Sequence, residues 1–126
     1  MLGPTGWIPV DGSTLETQFP SVYAIGDVIA IRLRNGMFLP KAGVFAEAQG
    51  SVVAERIPAE LRGEESSATF GGQGHCYLEV GDGLAALAMG NFYASPSPDV
   101  KLGPPSARYR IEKEQFESSR LQRWLG

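Results

Sequence analysis

Four consecutive apolar residues, Val22-Tyr23-Ala24-Ile25, stand between Pro20-Ser21 and Gly26-Asp27. A short unbroken apolar run fenced by turn residues reads as a strand buried on both faces, the kind found in parallel sheets. Val28 to Leu33 continues apolar and reads as the strand restarting or turning. Arg34-Asn35-Gly36 is a turn signal, and Pro40 closes the piece Met37-Phe38-Leu39. From Gly43 to about Arg56 the pattern becomes helical: Phe45, Ala48 and Val52 recur at spacings of three and four, with Val44 and Val53 alongside. Gly50 sits mid-helix, at a cost of about 1 kcal/mol relative to alanine. Close backbone packing is the expected compensation. Pro58 is expected to end or kink the helix, with a last turn available before Gly63.

This order sets a carboxylate, Asp27, at the C-terminal end of a strand. The helix start Pro40-Lys41-Ala42-Gly43 follows a loop later. A carboxylate so placed accepts hydrogen bonds from ligand hydroxyls, and Gly26 beside it removes a side chain that would block backbone approach. The unpaired N–H groups of a helix start favour negative charge, and Lys41 adds to that. Each half has a plain alternative. Gly-Asp is ordinary turn chemistry, and the second segment is an ordinary helix start with a solvated lysine. Spacing alone leaves both open.

The second half changes character. His75 to Val80 alternates, with Cys76, Leu78 and Val80 on one face and His75, Tyr77 and Glu79 on the other. Gly81-Asp82-Gly83 reads as a hairpin turn, and Leu84 to Tyr93 as the return strand. Ser95 to Pro105 holds four of the nine prolines and reads as a loop rather than a strand. Tyr109 to Gly126 reads as a closing helix with Phe116, Leu121, Trp124 and Leu125 on its apolar side. Glu64 to Ser67 is a polar linker, which divides the chain into 1–63 and 64–126. Gly71-Gly72-Gln73-Gly74 is glycine-rich, yet no helix pattern follows it, so it reads as a loop. Trp7 and Trp124 are expected as core or interface aromatics.

Charge and composition exclude several classes. A net charge of -3 gives no basic face for nucleic acid. With one cysteine and one histidine the chain forms no internal disulfide and does not support a four-ligand Cys/His metal site. No apolar run approaches the ~20 residues that span a bilayer, and no signal segment opens the chain. A cytoplasmic location is the default, with peripheral membrane contact open to segments outside this chain. Glu79 and Asp82 lie near the hairpin without forming an acid/base pair. Cys76 faces the apolar side of its strand, where a structural role is the commoner one.

Taken together, two segments carry a resemblance. Thr17-Gln18-Phe19-Pro20-Ser21-Val22-Tyr23-Ala24-Ile25-Gly26-Asp27-Val28 resembles the second FAD-binding motif of pyridine nucleotide-disulfide oxidoreductases. Leu39-Pro40-Lys41-Ala42-Gly43-Val44-Phe45-Ala46-Glu47-Ala48-Gln49-Gly50 is similar to the branch that holds sulfide:quinone reductases, flavocytochrome c sulfide dehydrogenases and type II NADH dehydrogenases. Gly74 to Gly81 and the closing Phe116-Glu117, Arg120 and Arg123-Trp124 also look like the C-terminal region of that branch. The resemblance covers most of the chain.

The resemblance implies FAD as cofactor. It implies Gly26 and Asp27 at the ribityl chain, and Lys41, Ala42 and Gly43 over the pyrimidine edge of the flavin. It makes Cys76 a candidate redox residue, whose partner cysteines would lie upstream. Family members run to several hundred residues and open with a GxGxxG turn that cradles the FAD diphosphate. That turn and a nucleotide-binding middle domain are absent from this sequence, so the chain resembles the C-terminal third of such an enzyme. The expected partner is therefore the missing N-terminal FAD/NAD-binding part, with FAD binding by this chain alone weak or absent. The implied fold is α+β: a strand–helix remnant of a Rossmann-like FAD domain, then a small antiparallel sheet and a C-terminal helix. A sheet edge left uncovered predicts self-association. The alternative function is a non-catalytic interaction or dimerisation module.

Overall fold

A computed structural model describes residues 2–126, and the fold is α+β. Two compact units are present. One comprises the chain up to Gly74 together with Asn91–Asp99, and the other His75–Gly90 with Val100–Gly126.

In the first unit, β1 (Ile8–Pro9) pairs in parallel with β2 (Ile29–Ala30), Ile8 opposite Ile29 and Pro9 opposite Ala30. After β2 the chain turns back on itself at Arg34-Asn35-Gly36. The Leu33 amide donates to Met37 at 2.7 Å and the Leu39 amide to Ile31 at 2.9 Å. Ile29, Ile31 and Leu33 alternate into the core, and Leu39 joins them.

The expected buried strand over Val22–Ile25 is not formed. Tyr23 makes an isolated antiparallel bridge to Glu16, flanked by bonds from the Thr17 amide to Val22 (2.8 Å) and from the Ala24 amide to Leu15 (3.1 Å). Val22 and Ile25 are 38% and 37% exposed. A doubly buried strand needs neighbours on both sides, and this run has one. Leu15 fills the core in its stead, fully buried with φ of 66°, a left-handed conformation that a leucine adopts only when its surroundings enforce it.

Helix α1 (Gly43–Leu61) begins where the sequence places it and runs past Pro58. It ends in a Schellman arrangement: Gly63, at φ 72°, donates to Glu60 and Glu64 donates to Ala59, both at 2.9 Å. Its buried residues are Phe45, Gln49 and Ala59, whereas Ala48 and Val52 are half-buried. Gly50 lies 3.6 Å, measured from where a Cβ would stand, from Ile25 Cδ1. The following polar stretch is tied back to the helix, since Arg56 Nη1 donates to the Ser66 and Ala68 carbonyls at 3.2 and 2.9 Å.

Phe45 is the hub of the first unit's core. Its ring meets Phe92 edge-on at 5.1 Å and Phe70 at 6.3 Å, and Phe70 meets Tyr93 at 5.5 Å. Burying such a side chain contributes roughly 1.5–3 kcal/mol. Gly72 and Gly74 make this cluster possible. A Cβ on the first would overlap the Tyr93 ring, and on the second the Phe45 ring. The glycine-rich stretch read as a plain loop is therefore a packing surface.

The second unit holds most of the antiparallel sheet, with strand order β3 (Gln73–Gly81), β4 (Leu84–Asn91), β5 (Asp99–Leu102). Asp82 and Gly83 both have positive φ, 51° and 72°, the geometry of a tight hairpin turn. β5 lies inside the stretch expected to be loop. Its four residues contain no proline and sit at the sheet edge, where flanking prolines are tolerated. Helix α2 (Ala107–Leu125) is capped by Ser106, whose Oγ accepts from the Arg108 amide at 3.1 Å. It covers the His75/Tyr77/Glu79 face of β3. Glu79 pairs with Lys113 and with Arg110 (3.1 Å), Tyr77 donates to Glu112 (3.4 Å), and the His75 ring stands 6.4 Å from Phe116. The expected apolar side of α2 is otherwise exposed, with Trp124 at 61%. The contacts to β3 are made by Arg110, Glu112, Lys113 and Phe116, and Leu121, Trp124 and Leu125 lie beyond that patch.

Candidate functional site

The two segments singled out in the sequence meet in the first unit. Gly26, Asp27, Lys41 and Ala42 line one cleft together with Ile29, Phe45 and Gln49. Gly43 opens α1 beside it. The cleft encloses about 10 Å³, close to the space one water needs.

Gly26 starts a single 3₁₀ turn, Gly26–Val28, flanked by extended Ile25 and Ile29. Its φ is +73°, a conformation glycine adopts without penalty. Asp27 is exposed on this turn, so its carboxylate is free to face solvent or a ligand. Ala42, the residue before α1, is extended and offers no side-chain cap, and the first turn of the helix carries no acidic residue. The helix start therefore presents its partial positive charge unneutralised. The Lys41 ammonium is turned onto the Ile29 carbonyl and lies 4.4 Å from the centre of the Trp7 ring. Trp7, expected in a core or interface, is 45% exposed and meets Lys41 through this cation–π contact.

One residue of the site is not marked by any motif in the sequence. Gln49 is the buried polar residue of the described chain, 2% exposed, and its Oε1 accepts from the Gly26 amide at 2.8 Å. The only hint in the sequence was its position one helical turn after Phe45, on the inward side.

Cys76 lies on β3 in the second unit and is half-buried. Burial pushes its thiol above the usual range, which disfavours the thiolate needed for nucleophilic or redox chemistry. Among the described residues no group of three or more His, Cys, Asp or Glu is arranged to hold a metal, and no helix is long and apolar enough to cross a membrane.

No family model matches the chain. The sulfide:quinone oxidoreductase, mitochondrial, of Schizosaccharomyces pombe is 28% identical over 123 aligned residues. That match takes in 89% of this chain and 25% of the relative. The chain thus spans about a quarter of the length of the curated relative it matches, and its similarity to an oxidoreductase is distant.

Proposed function

We propose that this chain is the C-terminal part of an FAD-dependent oxidoreductase of the sulfide:quinone reductase kind. Residues 1–63 would be the end of its FAD-binding domain and 64–126 its small C-terminal domain. The observation that carries the reading is the convergence of Gly26, Asp27, Lys41 and Ala42 on one cleft. The distant similarity to a sulfide:quinone oxidoreductase supports it.

The residues fit one edge of a flavin. Asp27 is exposed and accepts hydrogen bonds from ribityl hydroxyls. The positive-φ Gly26 lets that chain approach the backbone, and the uncapped start of α1 at Ala42 and Gly43 suits the pyrimidine edge. Lys41 adds positive charge there once it leaves the Ile29 carbonyl. The enclosed space does not admit a ring system, so the cofactor would lie over the outside of the cleft. Its diphosphate has no cradle among the residues lining it. The isolated chain is accordingly inactive or nearly so, with weak or no FAD binding. Bound flavin supplies two-electron chemistry between a sulfide-like or NAD(P)H donor and a quinone or other acceptor. This chain's residues bind, orient and polarise it.

A second reading, an interaction or dimerisation module, is favoured by one observation. Phe19, Val22, Ile25 and Val28 are all partly exposed along a single stretch, and such a patch is a docking signal. Titrating FAD fluorescence separates the two. The first reading expects little quenching by the chain alone, and strong quenching once it is mixed with the N-terminal three-quarters of such an oxidoreductase. Absence of quenching in that mixture, with a complex nevertheless formed, selects the second.

A further inference from the structure

We propose that Gln49 is the positioning residue of the candidate site: its buried side-chain carbonyl holds the Gly26 amide, and so sets where the Asp27 carboxylate stands relative to the start of α1. The identity of the ligand rests on the flavin reading above, whereas the geometry does not.

Glycine at positive φ is held by its surroundings, because glycine populates both signs of φ about equally. The turn at Gly26 is only three residues long and carries no buried residue of its own. What reaches it from a rigid element is Gln49, fully enclosed in α1, accepting from the Gly26 N–H at 2.8 Å. A buried side-chain amide is retained where its hydrogen bonding is satisfied, and here the partner is the amide next to the candidate ligand-binding carboxylate. Ala46, one turn earlier on the same helix, closes the space beside Gly26, with its Cβ 3.5 Å from where a Gly26 Cβ would stand.

The consequence is a single frame. Gln49 belongs to the helix whose first residues are the candidate anion site, so one hydrogen bond ties carboxylate and helix start together. A ligand with hydroxyls at one end and a partly anionic ring edge at the other needs both at a constant spacing. Pre-set spacing of this kind lowers the ordering cost of binding.

The test uses the full 126-residue chain, isotope-labelled, as wild type, Gln49→Met (similar length, no amide acceptor) and Gln49→Glu (acceptor retained). Riboflavin 5′-phosphate is the probe. In wild type a through-hydrogen-bond coupling between the Gly26 nitrogen and the Gln49 side-chain carbonyl carbon is expected. In Gln49→Met the Gly26 amide should exchange at least about fivefold faster with helical content unchanged, and Gln49→Glu should restore protection. The amide responses of Asp27 and Ala42 to the probe should weaken together in Gln49→Met and recover in Gln49→Glu. Absence of the coupling in an otherwise ordered wild-type spectrum overturns the proposal, and so does unchanged Gly26 exchange in a folded Gln49→Met. The coupling needs no variant, so misfolding of either substitution leaves the test intact. The Gly26 measurements decide the role of Gln49 by themselves, and the flavin reading is decided separately, by FAD quenching in the mixture with the N-terminal three-quarters of such an oxidoreductase.

Discussion

The ring of Phe45 lies so close over Gly74 that any side chain there would overlap its Cε1 and Cδ1 atoms. Phe45 is also edge-on to Phe70 and Phe92, so it has no empty side to move into. Gly74→Ala should therefore destabilise the chain by about 1–3 kcal/mol, the range for overpacking a filled core. Urea denaturation should show a lower midpoint with an unchanged slope. Gly72→Ala should cost more, since it adds a strained φ of +74° to overlap with Tyr93.

The edge-on contact of Phe45 with Phe92 should be separable from simple burial. Single Phe45→Leu and Phe92→Leu variants and their double variant form a cycle. We expect a coupling of about 0.5–1.5 kcal/mol in its denaturation free energies. Additive single effects would show that the rings act as independent fillers.

Tyr93 donates its hydroxyl to the Gly12 carbonyl at 2.7 Å, and burial, then the nearby Asp11 charge, hold its phenol well above the usual value. The neutral form is the one the fold accommodates. An unfolded tyrosine ionises near about pH 10, so the stability this group contributes is complete below that pH and is lost as pH rises above it. Tyr93→Phe should lower stability by about 1 kcal/mol at neutral pH through the lost hydrogen bond. Its stability should also fall less steeply than wild type between pH 10 and 11, read as melting temperature against pH.

Much of the frame was legible because its signals are local. The hairpin turn needs only Asp82 and Gly83, and the start of α1 needs only the change of period after Pro40. The strand assignment failed where the signal depends on neighbours. Val22–Ile25 is more continuously apolar than the stretch after it, but it makes only the isolated bridge from Tyr23 to Glu16 and stays near the surface. Ile29, Ile31 and Leu33 alternate with Ala30, Arg32 and Arg34, and that period of two marks the segment that is buried. At the candidate site, Gly26, Asp27, Lys41 and Ala42 were legible as residue types at a spacing. Gln49 was not, because a buried amide is recognised only by the group it meets. Nor could a sequence show Lys41 folded onto the Ile29 carbonyl.

The partly exposed run of Phe19, Val22, Ile25 and Val28 should make the isolated chain associate with itself. Sedimentation velocity from low to high concentration should show a rising average mass. Val22→Lys should suppress it, because charge on an open edge opposes pairing. A monomer at every concentration would show that the patch does not drive association.

The bond from Tyr93 to Gly12 joins residues 81 apart in sequence, and the unit it closes is interrupted by residues 75–90. During synthesis the N-terminal half emerges first with its aromatic cluster lacking Phe92 and Tyr93. It must wait for a complete hairpin to be translated before its core can shut. The vulnerable interval for a protease or a chaperone is therefore set by the ribosome's progress from residue 74 to residue 93, a loop-closure delay. A chain terminated before that point would expose Phe45 and Phe70 permanently.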